Sequence, residues 1–321
     1  MKTMKWMLRR ELWEHKGAFF WAPLVIAAAM IVFIGGGFVY SMAFGAPENI
    51  NFQGHDLVSV QGVPQDMRYR IANMVATGYL GIAAPLFMVL TVVVFFYCLS
   101  ALHDDRRDRS ILFWKSLPLS DRDTVISKVV TALLVAPLIT IAIGVATALV
   151  LLVIGMLSAA SKGLNLFAPV LTEPNLYLSP LYLLAMLPLY ILWALPTVGW
   201  LLLVSSWARS KVFLWAVGAP LVLLVVIAWF NFMVGQVANI AIDVDLVQQI
   251  VARFLGGLVP GVWMSEIDSG RLESLAKGPD AMLLMRESYR TLAAPGVWLG
   301  AAAGVAMIAG AIRLRRWRDE G

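Results

Sequence analysis

Thiols are almost absent from this chain. Its one cysteine, Cys98, lies inside an apolar run, so no intrachain disulfide can form and no cysteine-based metal site can be assembled. Histidine is nearly as scarce: His15, His55 and His103 fall in three separate segments and make no cluster with metal-ligand spacing. Charge is low as well, Asp, Glu, Lys and Arg together making 14% of the residues, against about a quarter in a typical soluble domain. No G-x-x-x-x-G-K-[ST] phosphate loop occurs, so the chain cannot itself cradle nucleotide phosphates as P-loop ATPases do. The H-E-x-x-H and G-x-S-x-G signatures are missing too, which removes the commonest metalloprotease and hydrolase frameworks.

What the chain has instead is apolar length. Of its 321 residues 60% are hydrophobic, the mean hydropathy is +0.79, and the apolar residues come in long runs rather than amphipathic stripes. Six runs read as spans: 19–44, 77–102, 129–157, 180–206, 212–234 and 296–312. The first, at 1.5 Å per residue, covers about 39 Å, enough to cross a core of about 30 Å with tilt. Ser41 and Ala43 have the small-x-small form of a cleavage site. The apolar stretch before them is too long for a cleaved signal, so an uncleaved anchor is expected. The expected organisation is a single transmembrane domain over 1–321.

Between the spans the segments differ in character. Residues 1–17 mix Lys2, Lys5, Arg9, Arg10 and Lys16 with Trp6, Met7, Leu8, Leu12 and Trp13, the pattern of a helix lying at headgroup level. Pro188 and Pro196 fall inside the fourth span, where freed carbonyls need neighbours, so that helix is expected to be kinked and packed within the bundle. The stretch 235–295 is too apolar for a plain linker. Its portion Asp243 to Leu255 alternates as an amphipathic helix, Gly256, Gly257, Pro260 and Gly261 break it, and Val262, Trp263 and Met264 continue apolar. A hairpin that short dips into a membrane interface more readily than it spans.

Charge placement sets the orientation. With both termini inside, 17 Lys and Arg lie on the cytoplasmic side and eight outside, whereas the acidic residues divide nine to eleven. The asymmetry is in the basic residues, as the positive-inside rule requires. The net charge of +5 is thus a topology signal rather than a nucleic-acid footprint. The expected location is a bacterial inner membrane, with both ends cytoplasmic. Gly300-Ala-Ala-Ala-Gly304 presents a small-xxx-small face on the last span and is read as packing within the protomer ahead of a dimer contact.

The most charged segment is 103–128, HDDRRDRSILFWKSLPLSDRDTVISK. Its charges stop at Ser110, the patch Ile111, Leu112, Phe113, Trp114 follows, and Ser120 with Asp123 forms a capping-box-like start for the third span's helix. A solvated positive-inside flank with an interfacial tryptophan accounts for this composition as readily as a docking element does. An apolar-aromatic patch bracketed by charges is nevertheless what a buried anchor with a polar rim needs.

This loop, with the basic amphipathic N-terminal helix, six spans and a long outer loop before the last, resembles the ABC-2 type permeases, the membrane subunits of ATP-binding-cassette exporters. The likeness extends over essentially the whole chain; its specific part is Arg109 to Pro118, the remainder matching in architecture. It implies an all-α six-transmembrane-helix bundle with an N-terminal interfacial helix, a cytoplasmic coupling helix in 103–128 and an outer re-entrant helical hairpin in 235–295. The ATPase-docking residues it implies are Arg109, Ser110, Ile111, Leu112, Phe113, Trp114, Lys115, Leu117, Pro118, Asp121 and Asp123. It further implies cytosolic ABC ATPase subunits that carry the ATP and Mg, no cofactor on this chain, and a second permease subunit, the same chain or a different one.

The proposed span cores contain no ionisable residue, which argues against intramembrane proteolysis, acyl transfer and ion-coupled transport, and leaves an apolar pathway suited to a hydrophobic or amphipathic substrate. No catalytic or metal-ligating residue is expected, and membrane lipids but no nucleic acid are expected as partners. The alternative is a non-transport integral membrane scaffold or envelope-assembly component, separable from an exporter by whether a phosphate-loop ATPase accompanies it.

Overall fold

The structure is a computed structural model describing residues 2–45, 50–52, 55–57, 65–107, 120–235, 243–267 and 281–317. Helix dominates because a chain this apolar must satisfy its backbone N–H and C=O groups within each segment. Six helices are long and apolar enough to cross a membrane: α2 Gly17–Phe44, α3 Met67–Arg107, α4 Asp121–Ser161, α6 Pro174–Trp207, α7 Leu214–Met233 and α10 Pro295–Trp317. The N-terminal helix α1 is Lys2–Glu14, and shorter helices are α5 Phe167–Thr172, α8 Val244–Gly256 and α9 Ala281–Arg290. Among the described residues the only strands form one hairpin, β1 Ile50–Phe52 paired antiparallel with β2 His55–Leu57.

All six expected spans are present, and several helices run past the apolar runs. The second span's helix begins near Gln65 rather than Thr77, and the fourth begins at Pro174. Polar end turns carry no hydropathy signal, but each adds backbone hydrogen bonds to a helix already nucleated. Prolines shape the spans locally. Pro23, Pro137 and Pro220 each sit two residues beyond a π-helical turn, at Gly17–Trp21, Thr131–Val135 and Leu214–Gly218. The wider turn makes room where a proline ring would meet the carbonyl four residues back. In α6 the helix breaks at Met186, just ahead of Pro188.

Helix α6 is the centre of the bundle, as its prolines led one to expect. Of its apolar window 61% is buried, against 11% for α7, which stands at the periphery. Leu189, Trp193, Val198, Leu201 and Leu202 of α6 pack with Leu90, Val94, Tyr97 and Leu102 of α3 and with Val125 and Leu133 of α4. Helix α10 lies close against α6 because both are glycine-lined at the crossing. A Cβ at Gly199 would come within 2.5 Å of the Gly304 carbonyl oxygen, and one at Gly304 within 2.6 Å of that of Leu195. The small residues of the last span therefore pack inside the protomer.

The segment 243–267 forms the helix and break read from the sequence. Asp243 caps α8 by accepting from the Leu246 N–H at 3.0 Å, and Gly261 ends the following turn at φ 85°, where only glycine is unstrained. This segment packs on the spans. Thr197 donates to the Arg253 carbonyl at 2.9 Å and accepts from the Gly257 N–H at 3.1 Å, and Thr91 of α3 donates to the Leu258 carbonyl at 3.1 Å. Leu258 and Trp263 are buried in the main core.

Candidate functional site

Helices α1, α3, α4 and α10 meet at one end of the bundle. Four of the helices contribute charge there. Lys128 of α4 sits 3.1 Å from Glu11 of α1 and 3.6 Å from Asp105 of α3. Arg315 of α10 bridges two acids, with Nη1 2.9 Å from Asp105 Oδ2 and Nε 3.3 Å from Asp121 Oδ1. Tyr97 of α3 donates to the second Glu11 oxygen at 2.8 Å. Glu11 and Lys128 are each 2% exposed and Arg315 4%, so the centre of the network is buried, with Asp121 at its partly exposed rim.

Local structure explains how the groups converge. On α1, Met7 and Glu11 are one turn apart and share the inward face, while Trp6 and Trp13 stand exposed with Arg9 between their rings, 5.6 and 5.9 Å from the centroids. At the start of α4, Ser120 takes the N-cap by accepting from the Asp123 N–H at 3.0 Å, which sets Asp121 and Asp123 in the first turn. That is half of the capping box read from the sequence. Just behind, α3 ends in a second polar lock. Arg106 Nη2 donates to the Ser205 and Ala208 carbonyls at 2.5 and 3.0 Å, and the Ser205 hydroxyl accepts from the Leu102 and His103 N–H groups.

Asp105 near the end of α3 and Asp121 at the start of α4 flank 108–119, so one guanidinium holds both ends of that segment. Of the sequence-derived docking residues, Arg109, Ser110, Ile111, Leu112, Phe113, Trp114, Lys115, Leu117 and Pro118 lie outside the described residues. Asp121 and Asp123 are described, the first accepting from Arg315 and the second positioned by the cap. The sequence singles out none of Glu11, Lys128 and Arg315 as a site; their pairing spans most of the chain and has no local signature.

His15 adjoins the network, its ring edge-on to Tyr97 at 4.9 Å. Burial holds its pKa below the ordinary imidazole value, and Lys128 acts in the same direction, against the opposing pull of Glu11, Glu14 and Asp104. Glu11, Glu14 and His15 also place possible metal-donor atoms within 4.8 Å of one another. Glu11 is committed to Lys128 and Tyr97, and Glu14 to Arg10 at 2.7 Å, so ion pairing accounts for this group.

Away from the charges, a cavity of about 220 Å³ opens between α3, α4, α6 and the 260–264 turn, lined by Phe87, Leu90, Ile141, Met186, Tyr190 and Trp263 among others. Comparison with protein-family models, with curated proteins and with solved structures returns no match.

Proposed function

We propose that this chain is the permease subunit of an ABC exporter of the ABC-2 type, with a separate cytosolic ATPase docking on the 103–128 segment. The observation that carries the reading is the Arg315 bridge between Asp105 and Asp121. A docking loop transmits force only if its ends are fixed to the helices that must move. Here the two ends are tied to each other and to α10 through Arg315, and to α1 through Lys128 and Glu11. Buried, mutually satisfied charges make such a joint stiff, because separating any pair leaves a charge unpaired in a low-dielectric site. Energy then enters as displacement of packed helices, with no chemistry on this chain.

The rest of the molecule fits that role. Helix α1, the end of α10 and the clamp share the end that the positive-inside rule favours for the cytoplasm, in what would be a bacterial inner membrane. Helix α1, with its outward tryptophans and cations, acts as the interfacial helix, and 243–267, hydrogen-bonded to residues within α3 and α6, acts as the outer re-entrant hairpin. The apolar cavity supports a hydrophobic or amphipathic substrate. The substrate path is completed by a second permease subunit.

The test is co-purification with the ATPase followed by substitution in the loop. Trp114→Ala or Phe113→Ala should lower coupled ATPase activity and transport while membrane insertion stays normal. An intact native complex without any ATPase, or unchanged coupling in both variants, would overturn the reading.

A further inference from the structure

Arg253 is a cation that the fold carries from a loop segment in against two spanning helices. It belongs to α8, and its guanidinium stacks on Trp193 of α6 with the carbon 4.2 Å from the ring centroid. Among the described residues its guanidinium makes one hydrogen bond, a long one, Nη2 to the Val297 carbonyl of α10 at 3.5 Å. Nε is buried with no partner. Glu266 acts on it electrostatically, yet among the described residues no carboxylate lies within ion-pair distance. An arginine in such surroundings is costly and normally marks a pathway or a charged partner.

The space around it is shaped. Gly300 of α10 faces the guanidinium, and a Cβ there would lie 2.5 Å from Nε, so any larger residue would displace the arginine. Leu246, Ile250 and Arg253 recur at the spacing of one face of α8, and the two aliphatic residues are exposed, 54% and 45%. The surface thus offers a fork of underused N–H donors at one point and bare hydrocarbon beside it. Guanidinium forks match phosphate and carboxylate oxygens two at a time.

We infer that Arg253 is the anion-recognition residue of an amphiphile site, taking a phosphoryl or carboxyl head while the apolar chain lies along Leu246 and Ile250. The site stands on the placement of Arg253, Trp193 and Gly300, whether or not an ATPase docks at the other end. Trp193 holds the guanidinium plane by stacking, and Gly300 lets α10 pass close along its Nε edge, which leaves the Nη groups to face a ligand. A head group of this class gives the donors charge-assisted, bidentate partners, which neither a neutral amphiphile nor bulk lipid tails supply.

The test measures binding to the purified chain in neutral detergent without any ATPase, so its outcome is independent of coupling through the loop. Dodecyl phosphate should bind at least about tenfold more tightly than dodecylphosphocholine, whose cationic group opposes Arg253, and inorganic phosphate should not compete. Arg253→Met should abolish the preference, and Arg253→Lys, which keeps the charge but not the fork, should retain only part of it. Gly300→Ala should weaken dodecyl phosphate binding by crowding Nε. Full preference in a folded Arg253→Met or Arg253→Lys protein would overturn the assignment. Competition by inorganic phosphate at similar concentration would also overturn it, assigning the cation to a free oxyanion.

Discussion

Single residues in this protein matter by the company their charges keep. Lys128 and Glu11 are both nearly inaccessible, so removing one leaves the other as an unpaired buried charge. Lys128→Met is expected to destabilise the protein by about 3–5 kcal/mol, seen as a lower melting temperature in detergent. Adding Glu11→Gln to it should recover part of the loss, because Tyr97 can still donate to the amide oxygen. His15 adds a pH dependence whose sign follows from its lowered pKa. The folded state favours the neutral ring, so the unfolded state binds more protons as pH falls through about 6.5. Stability is therefore full above that value and declines below it. Protease protection of α1 should drop between pH 7.5 and 5.5, and less so in His15→Phe; an equal drop in that variant would remove His15 as the cause. None of these pairings was legible in the sequence. Lys128 looks like a basic flank and Arg253 like the polar side of an amphipathic helix; only the fold brings Lys128 to Glu11 and Arg253 to Trp193.

At the scale of elements, periodicity and hydropathy sufficed for the spans because a run of twenty apolar residues has few other ways to exist. They did not suffice for helix that is short or polar. Helix α9 and α5 contain 10 and 6 residues, and β1 and β2 three each, lengths at which tertiary contacts rather than local pattern decide the conformation. The α6–α10 crossing shows the opposite case, since the Gly300-x-x-x-Gly304 spacing announced close packing before its partner was known. With Gly304 set against the backbone at Leu195 and Pro196, neither helix can retreat cheaply. Gly304→Ala should cost about 1–3 kcal/mol and lower the temperature at which the purified protein aggregates. Ala302→Ser, outside that contact, should leave it unchanged. Equal effects from the two would show that the crossing tolerates a wider approach.

For the whole molecule, the consequence of the clamp is that binding and coupling are separable properties. On the proposed reading the apolar patch Ile111 to Trp114 supplies contact area for the ATPase, whereas Arg315 pairs with Asp105 and Asp121 and fixes the helix ends that flank it. Shortening the patch by Phe113→Ala or Trp114→Ala should therefore weaken ATPase binding itself, as truncation of buried aromatic anchors does. Arg315→Gln should act differently. Losing a charge that bridges two acids leaves the loop present but unfastened from α10, and carries a stability cost of the same kind as Lys128→Met. At a temperature where the variant remains folded, the ATPase should still co-purify with it, while transport per ATP hydrolysed falls. A titration of ATPase against permease in nanodiscs separates the two quantities, the midpoint reporting binding and the plateau of transport reporting coupling. Should Arg315→Gln shift the midpoint and leave the plateau alone, the clamp would serve docking, and force would have to reach the bundle through α1 or through the Arg106–Ser205 lock instead.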